Sequence, residues 1–336
     1  MRRLDSRALT PGGPAPPAGL TLLEVVVAIG VVAVLTALVL PAVLDSRASA
    51  ASLECRMRMR DASLAWGLYC ETYRVGPPGP ANYHRWLAPF VEASAGDRVD
   101  ATAVTLRTIC PADSRTDATA GRFSLVINRG IHSLGGSGMV LAGGRIAGPD
   151  DFVDGLSQTA FWSERVVPYG SVSAESGDLP ASREPGEDAK LYVWYLTRDY
   201  GFTGFRSDLP GGPPGDRSDW KAGTAECNAG GVTARPVHRR VGQKGAGSSP
   251  VRATFGTFAA PNRPTCAPLK SRNGLALVQK LSAFNQLIDP PTSRHRGGVN
   301  VSFADGSARQ ISESIDLVPW IQSGTIAGEE RDLPGW

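Results

Sequence analysis

The sequence predicts an α+β protein in which a long N-terminal helix packs on an antiparallel, β-rich head with long loops. Residues 25–44 contain no charged side chain, and apolar residues then recur near the helical period as far as Tyr73. Residues 76–80, GPPGP, end this helix because proline and glycine both disfavour its continuation. The 39 glycines and 26 prolines of the chain favour long loops between short strands. We therefore expect residues 76–336 to form the head.

The apolar run is long enough to cross a membrane. Its 20 residues, 25–44, rise by about 1.5 Å each in a helix and so match the roughly 30 Å of bilayer hydrocarbon. We predict a leader over residues 1–19, a transmembrane helix over 20–44 and an amphipathic extension over 45–75. The side of the extension that we expect to pack on the head carries Leu53, Met57, Leu64 and Leu68.

Two residues are unusual in a plain membrane anchor. Glu24 follows Leu22 and Leu23, and an ionisable group within an apolar span is a functional hypothesis by default. The simpler interpretation is that Glu24 marks the interfacial start of the span. Pro41 removes one helical hydrogen bond late in the run, which predicts a kink or local melting there, or simply the end of the membrane helix.

The residues around Glu24 resemble a known processing signal. Gly19 precedes Leu20, Thr21, Leu23 and Glu24 in the pattern of the class III signal of type IV prepilins and type II secretion pseudopilins. The resemblance implies a pilin-like fold and cleavage after Gly19 by a prepilin peptidase, with N-methylation of Leu20. It also implies that Glu24 pairs with the new α-amine of a neighbouring subunit. Leu20 departs from the family pattern, in which Phe is commoner.

Other targeting signals remain open alternatives. The triplet at residues 48–50, ASA, has the small-residue form of an ordinary signal-peptidase site, although the apolar run is longer than a usual signal peptide. A plain uncleaved single-span anchor is also compatible with the sequence. Arg2, Arg3 and Arg7 place the N-terminus in the cytoplasm by the positive-inside rule. This orientation sends the head across the inner membrane to the periplasmic or extracytoplasmic side.

Charge and cysteine spacing exclude some functions. A net charge of +3 with interspersed charges gives no reason to expect a nucleic-acid partner. All five cysteines follow the span, in a compartment where disulfides persist, and none is spaced as CxxC. We therefore predict no metal site and no cofactor. Pairing is left open among Cys55, Cys70, Cys110, Cys227 and Cys266, of which at least one stays free or pairs between chains.

Several short segments of the head read as strands. Alternating residues predict strands over 122–128, 159–167 and 190–197. Residues 297–311 predict a hairpin in which Asp305-Gly306 forms a type I′ turn, with positive φ at both positions. Residues 201–265 contain few apolar anchors, and we expect a long loop or partly disordered insertion there.

The C-terminal hairpin carries a second resemblance. His295 is followed after nine residues by Asp305 and Gly306 within the predicted hairpin region 293–315. This is the His-X9-Asp-Gly element of a planctomycete-type family of prepilin-like proteins of unknown function (DUF1559-like). Further local matches to that family are Cys55, Cys110-Pro111-Ala112-Asp113, Asp154-Gly155 with Ser157 and Thr159, and Glu164-Arg165. The resemblance implies a prepilin-like architecture and no established activity.

Candidate chemistry in the head has simpler structural interpretations. His295 with Asp305 forms either an acid–base pair or half a metal site, whereas a turn aspartate more often stabilises its own turn. Asp150, Asp151 and Asp154 form an acidic loop but lack the spacing of a calcium-binding loop. The chain has four histidines and no Gly-x-Ser-x-Gly motif, so we identify no catalytic residue and predict that it is not an enzyme.

These observations favour a structural role. The resemblance implies a subunit of a type II secretion or type IV pilus-like assembly, whose partners are a prepilin peptidase, other pilin-like subunits and the inner membrane. One alternative is a membrane-anchored extracytoplasmic binding module that forms no filament. The other is an anchored or secreted hydrolase that uses His295 and Asp305.

Overall fold

The computed structural model describes part of the chain, in two compact units. The first unit ends at Arg47 and the second begins at Ala48, and each is described by itself. The described residues are 21–79, 86, 89–90, 109–113, 124–130, 137–141, 144–166, 192–195, 222, 224–227, 237–238, 254–267 and 288–327.

Helix α1, Leu22–Tyr73, begins at a capping box. The Thr21 N–H donates to Glu24 Oε2 (2.8 Å), and the Glu24 N–H donates to Thr21 Oγ1 (3.3 Å). Residues 21–50 are exposed, and α1 continues through Pro41. Among the described residues, α1 is the one helix whose length and composition would allow it to cross a membrane. The predicted continuation of the helix to Tyr73 is confirmed.

The second part of α1 buries a different face from the one the sequence predicts. Leu53, Met57, Leu64 and Leu68 are between 47 and 58% exposed. The buried residues of α1 are Cys55, Met59, Ala62, Ser63, Ala65, Trp66 and Cys70. Most of these side chains are small, so the helix backbone can approach the sheet closely while Trp66 supplies the volume. The prediction was wrong because it followed aliphatic size.

The head contains eight strands in the described part of the chain: β1 Leu125–Asn128, β2 Ala160–Glu164, β3 Tyr192–Tyr195, β4 Val237–His238, β5 Thr254–Phe255, β6 Thr265–Ala267, β7 Gly298–Phe303 and β8 Ala308–Ser312. A five-stranded sheet has the order β5-β1-β2-β7-β8, and a three-stranded sheet has the order β4-β3-β6. β1–β5 and β3–β6 pair in parallel, and the other ladders are antiparallel. The α+β class is confirmed, but the sheets are mixed where we predicted an antiparallel head.

The region predicted as a loop or disordered insertion, residues 201–265, contains strands. Both β4 and β5 lie within it and β6 begins at its end. Cys266 pairs with Cys227 in a disulfide and also bridges to Ile288 through backbone hydrogen bonds. The prediction was wrong for these segments because strands of two or three residues show no periodicity. Their order depends on contacts with distant residues.

Strand β7 is buried on both faces. Val299, Val301 and Phe303 share a core cluster with Trp320 of helix α2, Leu317–Gln322. On the opposite face, Asn300 Oδ1 accepts a hydrogen bond from Ser52 Oγ (3.1 Å). Ser302 Oγ lies 3.2 Å from Ser63 Oγ, and both Ser52 and Ser63 belong to α1. The predicted alternation is correct, but the polar face of the strand lies under α1.

The hairpin between β7 and β8 uses a different turn from the predicted one. The Gly306 N–H donates to the Phe303 carbonyl (3.0 Å), and the Phe303 N–H donates to the Ser307 carbonyl (2.8 Å). Gly306 has a φ of 82°, whereas Asp305 is not among the residues with positive φ. Asp305 Oδ1 instead accepts from the Ser307 N–H (2.9 Å). The loop is therefore a three-residue connection with one left-handed glycine, and the type I′ prediction was wrong.

Trp66 and Leu64 provide a matched test of the buried face of α1. Trp66 packs edge-on against Phe152 and Phe161, and its Nε1–H donates to the Ala147 carbonyl (2.9 Å). We expect Trp66→Ala to lower the free energy of unfolding by about 3–5 kcal/mol. Leu64→Ala, on the exposed side, should change it by no more than about 0.5 kcal/mol. Denaturation of the full-length protein in detergent, followed by circular dichroism, measures both. Equal losses would contradict this helix orientation.

Candidate functional site

Four chemically reactive side chains from distant parts of the sequence meet inside the second unit. Cys55 lies on α1, Cys110 on the turn at residues 109–113, Glu164 at the end of β2 and His295 just before β7. One ligand atom of each lies within 4.8 Å of those of the other three. None of these residues is more than 8% exposed. We call this group the Cys-His-Glu cluster.

The contacts within the Cys-His-Glu cluster are close. Cys110 Sγ lies 3.2 Å from His295 Nε2, and Cys55 Sγ donates to Glu164 Oε2 at 3.3 Å. The distance between His295 Nε2 and Glu164 Oε2 is 3.4 Å. The second carboxylate oxygen, Oε1, accepts from the Asn300 N–H (2.7 Å), which fixes the carboxylate against β7.

Neighbouring groups fix the two segments that lie outside regular structure. The Asp113 N–H donates to the Cys110 carbonyl (2.9 Å) and closes the turn around Cys110. Arg294 Nε donates to Asp113 Oδ1 (2.9 Å), which ties that turn to the residue next to His295. The His295 N–H donates to Ser293 Oγ (2.9 Å). Both segments are thus positioned by contacts with each other.

Burial and neighbouring groups hold both thiols in their neutral form. The hydrogen bond with Cys110, burial and the charge of Glu164 raise the pKa of Cys55 well above its usual value. At Cys110 the hydrogen bond with Cys55 acts to lower the pKa, but burial and Glu164 outweigh it and raise the pKa. A nearby cation reverses this preference because thiolates are strong metal ligands. Two sulfurs, an imidazole and a carboxylate form a ligand set that zinc accepts.

The predicted partners His295 and Asp305 do not meet. They flank the six residues of β7, which extend about 20 Å at roughly 3.3 Å per residue. Asp305 and Gly306 belong to the turn, and His295 belongs to the Cys-His-Glu cluster. The alternative of an acid–base pair was therefore wrong, whereas the preferred interpretation, that Asp305 stabilises its own turn, is confirmed. Gly19 and Leu20 lie outside the described residues.

The acidic loop uses two of its carboxylates in contacts with the protein. Asp151 pairs with Arg145 (3.1 Å) and accepts from the Gly148 N–H (2.7 Å). Asp154 Oδ2 accepts from Thr325 Oγ1 (3.2 Å). These two aspartates therefore stabilise the loop around the 3-10 helix Pro149–Asp151.

A second buried polar group consists of two arginines around one aspartate. Asp289 Oδ1 accepts from Arg129 and Oδ2 from Arg165 (3.3 Å). Arg165 also donates to the carbonyls of Asp289 (2.8 Å) and Pro290 (3.2 Å). The side chains of both arginines and Asp289 are at most 3% exposed. Burial lowers the pKa of both guanidinium groups, which Asp289 counteracts. This ion network joins β1, β2 and the segment before His295.

Reasoning from the sequence missed Cys55, Cys110 and Glu164 as members of one site. Cys55 and Cys110 precede Glu164 by 109 and 54 positions, and the histidine lies still farther along the chain. No spacing rule connects residues at such distances. The one sequence signal for the site was that Cys55, Cys110 and Glu164 each belong to a separate local match to the His-X9-Asp-Gly family. The prediction of no metal site considered groups that are close in the sequence, and it did not consider residues that come together from distant segments.

Comparison with known families identifies the class of the chain. The profile of the family described as "Protein of unknown function (DUF1559)" matches residues 98–318. The chain belongs to this family. The matched region contains Cys110, Glu164 and His295, whereas Cys55 and the membrane-type part of α1 precede it. No curated protein and no solved structure matches the chain. The family and the apolar N-terminal helix together fit a membrane-anchored extracytoplasmic protein.

Asp289 and Asp305 give a matched test of the buried ion network. We expect Asp289→Ala to lower the free energy of unfolding by about 3–5 kcal/mol, because it removes a carboxylate from two buried guanidiniums. Asp305→Ala removes exposed turn hydrogen bonds and should cost about 1 kcal/mol. Chemical denaturation of the two full-length variants in detergent measures this difference. A cost at Asp289 no greater than at Asp305 would show that the network does not stabilise the head.

Proposed function

We propose that the protein is a pilin-like structural subunit of a type II secretion or type IV pilus-like assembly. The observation that carries this proposal is the 52-residue helix α1. Its apolar first part is exposed, and its later part buries one face in a mixed β head. Residues 19–24, which resemble a class III signal, overlap the start of this helix. A single helix with an exposed apolar first part and a later part packed on a head suits subunits that move from the membrane into a helical bundle.

The proposal assigns roles to the residues around the start of α1. A prepilin peptidase cuts after Gly19 and methylates Leu20, and Glu24 pairs with the new α-amine of a neighbouring subunit. A buried carboxylate needs such a partner when apolar helices pack together. In the single chain, Glu24 accepts from the Thr21 N–H and Oγ1–H and caps the helix. Cleavage between Gly19 and Leu20 leaves Thr21 in place, so this cap is compatible with the processed chain.

Exposed apolar residues continue beyond the membrane-length part of α1. Four of them lie four or seven positions apart on one exposed side of the helix, opposite its buried side: Leu53, Met57, Leu64 and Leu68. Such residues suit contact with another apolar helix. The orientation follows from Arg2, Arg3 and Arg7, which keep the leader in the cytoplasm and place the head outside the inner membrane.

The N-terminus of the mature protein tests processing directly. In protein isolated from its native membrane, intact-mass and N-terminal peptide analysis should find N-methylated Leu20. Gly19→Val should retain Met1, because the peptidase no longer recognises its site. A wild-type terminus at Ala51 would instead mean cleavage at the signal-peptidase-type triplet. An intact Met1 in the wild type would favour the anchored binding module.

Two variants separate the charge of Glu24 from its capping role. Glu24→Gln keeps a side chain that completes a capping box, whereas Glu24→Val removes it. We expect both variants to insert and be processed, and both to lose contacts between subunits. These contacts are measured by photo-crosslinking from position 57, with exposed position 153 as the control. Normal crosslinking of Glu24→Gln would contradict the proposed ion pair. Crosslinking from position 153 alone would argue against packing of subunits through α1.

A further inference from the structure

We propose that the Cys-His-Glu cluster is a structural zinc site. The ligands are the sulfurs of Cys55 and Cys110, Nε2 of His295 and Oε2 of Glu164. This inference concerns the head alone and is independent of filament assembly. It adds a metal to a chain for which the cysteine spacing gave none.

The dimensions of the cluster match tetrahedral zinc. Bonds of about 2.0–2.3 Å to nitrogen, oxygen and sulfur separate the ligand atoms of a tetrahedral site by roughly 3.3–3.8 Å. Three separations in the cluster are 3.2, 3.3 and 3.4 Å, and all ligand atoms lie within 4.8 Å of one another. Adjustments of at most about 1 Å therefore suffice to place all four atoms around one ion.

The ligand chemistry favours zinc over other common ions. Calcium and magnesium take mainly oxygen ligands, and iron–sulfur clusters require cysteines at most positions. Two thiolates with an imidazole and a carboxylate combine soft and borderline ligands, as zinc sites do. Four protein ligands with almost no exposure leave no open position for a substrate. The site is thus structural in type.

Charge and hydrogen bonding around the cluster suit a bound cation. Binding releases the two thiol protons and leaves two thiolates and one carboxylate around Zn²⁺. The carboxylate is already oriented by the Asn300 N–H, as outer contacts commonly orient metal ligands. Arg58 donates to the carbonyl of Ile109, the residue before Cys110, and so ties the turn that carries Cys110 to α1. Without an ion, this interior contains a carboxylate, an imidazole and two thiols with almost no solvent contact.

The rival interpretation is a disulfide between Cys55 and Cys110. The structure leaves these two cysteines reduced, as it does Cys70, while Cys227 and Cys266 are bonded. A disulfide would use both sulfurs and leave Glu164 and His295 as a buried pair beside it. In the zinc site all four groups have a role. The two interpretations differ in the oxidation state of Cys55 and Cys110, which is measurable.

The zinc content of the full-length protein tests the proposal. Protein purified in detergent with a non-thiol reductant is stripped with a chelator, titrated with Zn²⁺ and assayed by elemental mass spectrometry. We expect one Zn²⁺ per chain in the wild type and in Cys70→Ser, a matched buried cysteine on the same helix. Loss of an outer partner alone weakens metal binding about 10–100-fold, so Cys110→Ser and His295→Ala should weaken it by at least about 100-fold.

Two further measurements distinguish a loss of metal binding from a loss of folding. Co²⁺ substitution should give the visible bands of a tetrahedral thiolate site in the wild type and in Cys70→Ser, and not in Cys110→Ser. Zn²⁺ should raise the melting temperature of the first two proteins and leave that of Cys110→Ser unchanged. The proposal is overturned by a folded, reduced wild type that binds no Zn²⁺, or by equal loss in Cys70→Ser and Cys110→Ser. A Cys55–Cys110 disulfide in protein taken directly from its native membrane would also overturn it.

Discussion

The head depends on the register at which the later part of α1 packs on the five-stranded sheet. Polar contacts as well as apolar burial set this register. Ser52 bonds to Asn300, Ser63 to Ser302, and the indole of Trp66 to the Ala147 carbonyl. Displacing the helix by one turn would leave these buried groups without partners, at a cost of about 1–3 kcal/mol each. Apolar contacts alone would tolerate such a displacement more easily.

The same register brings Cys55 to Glu164. Cys55 lies between Ser52 and Met59 on the buried face of α1, and Glu164 ends a strand whose neighbour is β7. The Asn300 N–H holds the carboxylate from one side and the Cys55 thiol meets it from the other. Helix packing therefore assembles the Cys-His-Glu cluster. In turn, a metal there would fix the helix to β2 and to the two irregular segments that supply the other ligands.

The two parts of α1 meet different physical demands. Up to residue 47 the helix exposes apolar side chains that only a membrane or other helices would cover. From Ala48 onward, small side chains and paired hydroxyls allow close contact with a sheet. The filament subunit that we propose would need a head that stays folded when it leaves the membrane. The disulfide Cys227–Cys266 and the buried ion network around Asp289 hold the head together without the membrane, and zinc in the Cys-His-Glu cluster would add to this.

The sequence alone determined the features that depend on local pattern: the length of α1, its apolar first part, and strands β1, β2, β3 and β7. It also located the hairpin turn, because glycine is the residue that readily adopts a φ of 82°. Tertiary structure decided which face of α1 is buried. Small residues such as Ala62 face the sheet, whereas a prediction from periodicity places the large aliphatic residues there. It also decided the short strands β4 and β5, which are too brief to show a pattern. The Cys-His-Glu cluster was beyond sequence reasoning because its members come from four segments whose proximity exists only in the folded chain.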